Sequence, residues 1–281
     1  MMAGKDELKI NTIYIISKGR PQCTTARTLQ KIKYPGEWYI VCGNNDETID
    51  EYRNNFGNEK ILVFDWYEEI KHTDTLDNFG FDNIPSGACP VRNATQRIAK
   101  ERGENRCWQL DDDYNSFARY DPRVQKNKTI KNGAVLWNTM YNIAKFGYSI
   151  GAANVGFSLS TIEACPGNRK NFSKRVFNAH NMPVDGFVKW RGRLNDDVIN
   201  ALDVLHQARL EFQFKYLSIT TTPTQTEAGG LTEYYKAVGT VRKTAYAVLI
   251  DPKVVKLVTR FGRYHHKAEW KKIYVKIISE K

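Results

Sequence analysis

The stretch GACPVRNATQRIAKERGENRCWQLDDDY, residues 87–114, indicates the fold more strongly than any other part of the chain. From Pro90 to Arg102 the apolar side chains recur at three- and four-residue intervals, which predicts an amphipathic helix. The apolar run Cys107–Leu110 that follows has the length of a short buried strand. A helix that leads into a buried strand is typical of an α/β fold, and here three aspartates come directly after the strand.

Upstream of this stretch, short apolar runs alternate with helical patterns. This alternation predicts an α/β fold with a mixed, mainly parallel, Rossmann-like sheet and helices on both faces. Ligands of such sheets bind beyond the carboxyl ends of the strands, which is where the three aspartates are expected. The predicted strands are Thr12–Ser17, Glu37–Cys42 and Lys60–Phe64, and the predicted helices are Thr25–Lys31 and Thr48–Phe56.

The second half of the chain has a more mixed pattern, without an internal repeat or a long linker. We interpret residues 165–181 and 220–230 as loops because they are rich in turn-forming and polar residues. The predicted helices are Gly133–Lys145, which Gly147 is expected to end, Asp196–Arg209, Leu231–Val238 and Pro252–Phe261. The predicted strands are Tyr148–Ala152, Val155–Leu159 and Glu211–Ile219.

The composition of the 281 residues is that of a globular protein, with 41% hydrophobic and 12% aromatic residues. No apolar run approaches the roughly 18–20 residues that span a bilayer, and the first residues lack the apolar core of a signal peptide, so we expect a cytoplasmic protein, in the host cell if the chain is viral. The five cysteines are widely spaced and form no CxxC pair, which favours reduced thiols in the core over disulfides or a cysteine zinc site.

The net charge of +11 is unevenly distributed along the chain. Residues 46–118 carry a net charge of −8, residues 119–193 carry +10 and residues 251–281 carry +6. Clustered basic side chains with interleaved aromatic residues favour a groove for a polyanion such as DNA, although a solvated basic surface is the alternative. The basic residues of the middle segment lie at 119–131 and 169–193, and the proposed DNA contacts are Arg123, Lys126, Lys128, Arg169, Lys170, Lys174 and Arg175.

The acidic run Asp111-Asp112-Asp113 is the strongest chemical signal in the sequence. Three adjacent carboxylates repel one another unless a cation compensates them. Mg²⁺ or Mn²⁺ would do so, because these ions prefer oxygen ligands and keep positions for substrate phosphates. The alternative is an exposed acidic turn. Arg92 and Asn93 are expected at the same edge of the sheet, or else as helix caps, and one of His265 and His266 could complete a Mn²⁺ site or lie on the surface.

Residues 87–114 resemble the core of GT-A fold nucleotide-sugar glycosyltransferases, in which an Arg-Asn helix precedes a strand that ends in a DxD motif. The segments SKGRP at 17–21, NDD at 195–197 and HH at 265–266 follow in the order of that family. Within it, the chain is most similar to the TET-associated glycosyltransferases of phages, which are proposed to attach sugars to hydroxymethylated pyrimidines in DNA. The resemblance implies one GT-A-like domain over 1–281, with 1–118 as the nucleotide-sugar half and 119–281 as the acceptor half that ends in a metal-ligand segment.

The resemblance also implies roles for the residues on the donor side. Asp111 and Asp113 match the DxD acids, although three acids in a row leave 112/113 as an alternative pair. Asp113 would bind the metal with His265 or His266, and Asp111 or Asp112 would contact the ribose or sugar of the donor. Ser17 and Arg20 match the loop that holds the base and ribose, whereas Arg92 and Asn93 match groups near the sugar and diphosphate.

On the acceptor side, the resemblance implies that Asp196 or Asp197 is the general base of an inverting enzyme or an acceptor-positioning group of a retaining one. The leading hypothesis is a Mn²⁺- or Mg²⁺-dependent hexosyl- or pentosyltransferase. It would move a sugar from a UDP-sugar to 5-hydroxymethylcytosine in double-stranded phage DNA. A protein or glycan acceptor, a non-catalytic DNA-binding module and a nucleotidyltransferase are the alternatives. The sequence leaves the sugar, the nucleotide, the anomeric outcome and the oligomeric state open.

Overall fold

The computed structural model describes residues 8–77, 87–159, 175–186, 188–221, 241–260 and 262–273, together with the backbone of 172–173. These residues form a large mixed sheet that helices cover on both faces, as the alternating pattern predicts. One half of the sheet is parallel, in the order β3-β2-β1-β4. Its strands are β1 (Ile13–Ile16), β2 (Trp38–Gly43), β3 (Ile61–Phe64) and β4 (Arg106–Asp111).

Strand β1 shows why both faces of the sheet need helices. All of its residues are buried, and successive side chains point to opposite faces. Ile13 and Ile15 belong to one apolar cluster, whereas Tyr14 belongs to another. The first cluster includes residues of α1 (Thr24–Lys31), α2 (Ile49–Phe56) and α5 (Gly133–Ser149), and the second includes residues of α3 (Trp66–Glu69) and α4 (Cys89–Glu101).

The other half of the sheet mixes strand directions and continues from β4 in the order β9-β7-β10-β5-β6. Strand β9 runs antiparallel to both of its neighbours and so joins the two halves. The short strand β8 (Phe172–Ser173) pairs with β10 off this path. The remaining strands are β5 (Tyr114–Asp121), β6 (Lys126–Thr129), β7 (Asn154–Leu159), β9 (His180–Pro183) and β10 (Glu211–Thr221).

A separate two-stranded antiparallel ribbon forms near the end of the chain from β11 (Val255–Arg260) and β12 (Arg263–Ala268). It packs on α6 (Asp196–His206) and α7 (Val241–Ile250) through an apolar cluster that includes Leu202, Ala247, Val255 and Trp270. The ribbon therefore lies against the helix that begins with the two candidate catalytic aspartates.

The register of the parallel strands positions the candidate site. Ile16 of β1 pairs with Asp111 of β4, so Ser17 and Asp112 leave the sheet side by side. Asp112 and Asp113 form the tight turn between β4 and β5. The carboxyl ends of β1 and β4 thus meet at one edge, as we predicted for the ligand-binding edge of the sheet.

Two predicted elements in the second half are wrong. Residues 148–152 are not a strand, because helix α5 continues to Ser149. Gly147 does not end the helix; a side chain there would collide with Val155 of β7, so this glycine allows close packing of the helix on the sheet. Residues 252–260 are not a helix, because Val255–Arg260 form strand β11, and Phe261 of the predicted helix lies outside the described residues.

Other differences concern loops and short strands. The predicted loop 165–181 contains β8 and the first residues of β9, and β10 extends through Thr221 into the predicted loop 220–230. The predicted helix 231–238 lies outside the described residues. Of the cysteines, Cys23, Cys42, Cys89 and Cys107 are buried free thiols, and Cys165 lies outside the described residues.

A buried polar group in the mixed half makes stability depend on pH. Glu211 of β10 accepts a hydrogen bond from Asn154 at 3.1 Å, and its second carboxylate oxygen has no partner among the described residues. Burial raises the pKa of Glu211 to about 8, whereas the backbone N–H of Val176, Asn154 and Arg175 act in the opposite direction. The folded protein therefore holds this proton more tightly than the unfolded chain does.

We expect Glu211→Gln to stabilise the protein at pH 8.5 and to have little effect at pH 5. An unfolded glutamate has a pKa of about 4.3. The raised pKa in the fold thus contributes stability that is fully present below about pH 4.3 and is lost as the pH rises through about 8. Thermal unfolding from pH 5 to 9 measures the effect, with the exposed Glu101→Gln as control. A variant that is less stable than wild type at pH 8.5 would contradict this assignment.

Candidate active site

Asp112 connects the loop after β1 to the end of β4. Its Oδ2 accepts a hydrogen bond from the Ser17 hydroxyl at 2.6 Å, and its Oδ1 pairs with the Arg20 guanidinium at 3.0 Å. Burial raises the pKa of Asp112, while Arg20 and the Ser17 hydroxyl act to lower it. Both oxygens of this buried carboxylate are engaged within the protein, so Asp112 holds the first loop in place.

The same loop is fixed from the side of β2 and α2. The Tyr52 hydroxyl lies 2.6 Å from the Ser17 hydroxyl and accepts a hydrogen bond from the Arg20 backbone N–H at 2.9 Å. Gly19 has a φ of 65° and donates its N–H to Asp46 at 2.9 Å. The left-handed backbone at this position favours glycine. Ser17 and Arg20 therefore occupy a loop whose conformation the surrounding residues determine.

Arg92 on α4 joins two candidate acids that are distant in sequence. Its Nη2 donates to Asp111 Oδ1 at 2.9 Å and its Nε donates to Asp196 Oδ2 at 3.0 Å. The guanidinium also lies 4.6 Å from the centre of the Trp190 ring. Arg92 is only 5% exposed, and its third nitrogen, Nη1, is buried without a partner among the described residues. Arg92 thus brings the end of β4 and the start of α6 into one site and has one donor nitrogen left over.

Asn93 has both of its amide atoms engaged with the backbone of Trp190. Its Nδ2 donates to the Trp190 carbonyl at 2.9 Å, and its Oδ1 accepts from the Trp190 N–H at 2.8 Å. In this arrangement Asn93 positions the indole ring that packs on Arg92. A direct contact of Asn93 with a donor sugar or diphosphate stays a prediction.

Asp113 is the least compensated of the three consecutive acids. Within the described part of the chain no Arg or Lys forms an ion pair with it, whereas Asp111 pairs with Arg92 and Asp112 with Arg20. Burial, followed by the charges of Asp111 and Asp112, raises the pKa of Asp113 to about 7. A half-buried carboxylate with this excess of negative charge fits a divalent cation. With Asp112 engaged by the loop, Asp111 and Asp113 are the pair with accessible oxygens.

The two acids at the start of α6 differ in their environment. Asp196 is ion-paired with Arg92, whereas Asp197 accepts a hydrogen bond from the N–H of Val198 at 2.8 Å. Burial and the charge of Asp196 raise the pKa of Asp197 to about 6, and Lys243 of α7 acts in the opposite direction. A carboxylate with a pKa near neutrality is a good proton acceptor at physiological pH, whereas an oxygen of Asp196 is already engaged by Arg92. Asp197 is therefore the better candidate for a general base.

The pairing of β11 with β12 places the side chains of the two histidines on opposite faces of the ribbon. His266 pairs with Leu257 and His265 with Val258, so the two side chains point to opposite faces of the ribbon. Nδ1 of His266 lies 3.1 Å from Nδ2 of Asn195, the residue directly before Asp196. Burial, followed by nearby cations, lowers the pKa of His266 to about 4, so its imidazole is neutral at pH 7. Of the pair, His266 is the one that faces the candidate site.

The described residues do not form a metal centre by themselves. No group of three or more His, Cys, Asp or Glu side chains in the described ranges is placed to hold an ion. A site that uses Asp113, with Asp111 or His266 and substrate phosphates as further ligands, needs fewer protein ligands than that. The oxygen and imidazole groups of these residues fit Mg²⁺ or Mn²⁺ that binds together with substrate phosphates.

Several predicted DNA contacts are engaged within the protein. Arg123 and Lys128 both pair with Asp121 at the β5–β6 turn, although both remain exposed. Arg175 is half-buried against the rings of Phe177 and Trp270. Lys126 is exposed on β6, and Arg169, Lys170 and Lys174 lie outside the described residues.

Two further basic residues of the middle segment, Arg191 and Arg193, do not belong to an open groove. Arg191 pairs with Asp203 through two hydrogen bonds of 2.7 Å. Arg193 is fully buried and pairs with Asp77 through two hydrogen bonds of 2.8 Å. The positive charge of residues 119–193 is therefore partly neutralised by ion pairs within the protein. The sequence does not reveal these pairs, because partners such as Asp77 and Arg193 are more than a hundred residues apart.

Sequence reasoning missed the roles of Asn195 and Lys243. Asn195 has a φ of 65° and connects His266 to the start of α6. An asparagine directly before a helix was a usable signal, because this residue tolerates the left-handed conformation better than most. Lys243 gave no local signal, since only the packing of α7 brings its charge near Asp197.

Comparison with known proteins identifies one matching family. A family model described as TET-Associated Glycosyltransferase matches residues 11–230, well over half of the chain. The match covers the first loop, the acids after β4 and the start of α6, and it ends before the β11–β12 ribbon. A search of curated proteins found no match. No described helix combines the length and the apolar character that crossing a membrane requires.

Proposed function

The chain belongs to the TET-associated glycosyltransferase family, and from this premise we propose that it transfers a sugar from a UDP-sugar to 5-hydroxymethylcytosine in double-stranded DNA. The observation that carries the proposal is the double ion pair of Arg92 with Asp111 and Asp196. This contact joins the acids after β4, which suit a nucleotide diphosphate and its metal, to the acids of α6, which suit an acceptor hydroxyl.

On the donor side, Asp113 would hold Mn²⁺ or Mg²⁺, with Asp111 or His266 as a further ligand. The ion, when bound, would neutralise the charge that develops on the departing diphosphate. The buried Nη1 of Arg92, which has no partner among the described residues, is suited to donate a hydrogen bond to a phosphate or sugar oxygen nearby. Ser17 and Arg20 would border the base and ribose.

On the acceptor side, we propose that Asp197 acts as the general base. Its carboxylate would accept the proton of the hydroxymethyl group as that oxygen bonds to the anomeric carbon. The bond from this carbon to the diphosphate oxygen breaks in the same step, and the nucleoside diphosphate leaves with the electron pair. Asp196, through its ion pair with Arg92, would keep the start of α6 and the acceptor in position relative to the donor at the end of β4.

Asp197→Asn is expected to lower kcat by about 10²- to 10⁴-fold, the usual contribution of general base catalysis, while donor binding is retained. In the wild type, kcat/KM should fall as the pH decreases through about 6, because protonated Asp197 cannot accept a proton. Asp196, Arg92 and Lys243 are the charged groups that act on this carboxylate. Kinetics from pH 5 to 8 measure both effects. If the variant keeps wild-type kcat and pH profile, Asp197 is not the base.

The proposed function is tested by incubation of the protein with Mn²⁺, a panel of nucleotide sugars and duplex DNA that contains 5-hydroxymethylcytosine. Nucleoside mass spectrometry should then detect a modified nucleoside whose mass has increased by one sugar residue. Unmodified DNA and a glycan acceptor serve as comparison substrates. Transfer to the glycan alone would show that the acceptor is a glycan and not DNA. Absence of transfer to every acceptor would overturn the proposal.

A further inference from the structure

One face of the β11–β12 ribbon carries two pairs of like charges. In an antiparallel ribbon, residues directly opposite each other share a face, and the face alternates along each strand. Lys256 is opposite Lys267, and Arg260 is opposite Arg263. These two pairs share their face with Val258 and His265. All four long cationic side chains are exposed.

This arrangement is unfavourable for the ribbon alone. Like charges placed directly opposite each other destabilise a two-stranded sheet. None of the four cations forms an ion pair with a carboxylate among the described residues. The charges of Lys256 and Lys267 act on nearby Glu269, which pairs with Lys272, and Lys256 donates to the carbonyl of Pro252. The opposite face, by contrast, packs on the protein through Val255 and Ala268. The cationic face therefore has a cost that an anionic ligand would remove.

We propose that this face of the ribbon, defined by Lys256, Arg260, Arg263 and Lys267, binds the phosphate backbone of double-stranded DNA along the major groove. The inference rests on the proposed function in taking DNA as the acceptor. Residues 256 and 260 lie about 13 Å apart along the strand, at about 3.3 Å per residue. A two-stranded ribbon fits the major groove of B-form DNA, which is about 12 Å wide.

The position of the ribbon relative to the candidate site supports this partner. His266 lies on the other face and contacts Asn195, so the ribbon is fixed directly beside Asp196. The 5-substituent of a pyrimidine projects into the major groove, as the methyl group of thymine does. DNA bound to the ribbon would therefore lie close to the acceptor side of the candidate site, on the opposite face of the ribbon from His266. The major groove of A-form RNA is too deep and narrow for such an element, which favours DNA over RNA.

The test compares a variant in which all four cations are replaced by Gln with a control in which Lys31, Lys33, Lys100 and Lys145 are replaced by Gln. These four lysines are also exposed, and both variants lose the same charge. Fluorescence anisotropy with an unmodified DNA duplex, at 50–200 mM salt, gives the affinity and its salt dependence. Because the ribbon variant can no longer neutralise four phosphates, the slope of log Kd against log salt should decrease by about 3.6, and affinity at 150 mM salt should fall about 100-fold or more.

The control should keep most of the affinity and of the salt slope. An equal loss in both variants, or an unchanged slope in the ribbon variant, would overturn the ribbon as the DNA contact. A double-stranded RNA of the same sequence should bind more weakly, and its wild-type affinity should depend little on the four cations. If RNA binds as tightly as DNA through the ribbon, the major-groove assignment is wrong.

Folding and catalysis are monitored separately. The ribbon variant should melt no lower than wild type, since the replacement removes like-charge repulsion. If it does not fold, Arg260→Gln with Arg263→Gln provides the same test with an expected slope change of about 1.8. Hydrolysis of the donor without acceptor should be unchanged. If DNA binding depends on the ribbon but no sugar is transferred, the proposed function alone is refuted. If the ribbon variant transfers sugar and binds DNA with wild-type affinity, the ribbon proposal alone is refuted.

Discussion

Asp113→Asn is expected to lower sugar transfer by about 10³-fold, since loss of the metal contact at the diphosphate removes several kcal/mol of transition-state stabilisation. The same substitution should raise the melting temperature of the metal-free protein at pH 8. Burial and two neighbouring carboxylates raise the pKa of Asp113 to about 7, so its charged form opposes folding above that pH, and asparagine removes this charge. Addition of Mn²⁺ with UDP should then stabilise the wild type and leave the variant unchanged.

Steady-state kinetics and thermal unfolding measure these effects. Asp50→Asn is the control, because Asp50 is highly exposed on α2 and lies outside the site. It should leave both the activity and the response to Mn²⁺ unchanged. An Asp113→Asn variant with wild-type transfer would exclude this carboxylate from the reaction. Loss of activity together with loss of folding would make its role structural.

Arg92→Met should both destabilise the protein and abolish transfer. The arginine is buried between Asp111 and Asp196, and removal of one partner from a buried ion pair costs about 3–5 kcal/mol because the remaining charges are left uncompensated. Arg92→Lys should rescue little, since an ammonium group cannot reproduce the two separate contacts of Nε and Nη2. Transfer should be absent in both variants because the donor and acceptor acids are no longer held together.

Chemical denaturation and kcat/KM measure this prediction. The matched control is Arg97→Met on the same helix, where the guanidinium is about half exposed and forms only surface ion pairs. Such pairs contribute roughly 0–1 kcal/mol, so the control should stay close to wild type. If Arg92→Met unfolds at the same denaturant concentration as Arg97→Met, the double ion pair does not organise the site.

The parallel half of the sheet could be predicted from the sequence because each of its strands contains a short, mostly apolar run, which is fully buried in β1 and partly exposed at Val63 of the edge strand β3. The strands β5 and β6 could not, because YNSFARYD and KNKT are too polar to stand out and depend on their neighbours in the sheet. In the predicted helix Pro252–Phe261, the residues Val254, Val255, Leu257 and Val258 have a spacing that is compatible with a helix as well as with a strand. Their pairing with β12 decides the structure, and no local pattern reports that pairing.

The residue types of the candidate site could also be predicted, but not the division of roles among them. The family resemblance is confirmed by the match over residues 11–230. Which of three adjacent acids remains accessible depends on Ser17 and Arg20, which engage Asp112 from a distance of more than ninety residues. The choice of His266 over His265 depends on ribbon register, which a His-His pair in the sequence leaves open.

The most direct test of the metal role at the end of β4 is electron paramagnetic resonance of Mn²⁺ in the presence of UDP. We predict that wild-type protein and UDP together bind Mn²⁺ more tightly than either does alone, and that Asp113→Asn abolishes this increase while Asp50→Asn retains it. Equal Mn²⁺ binding by wild type and Asp113→Asn would contradict the central claim that this edge of the sheet holds the metal and the nucleotide diphosphate.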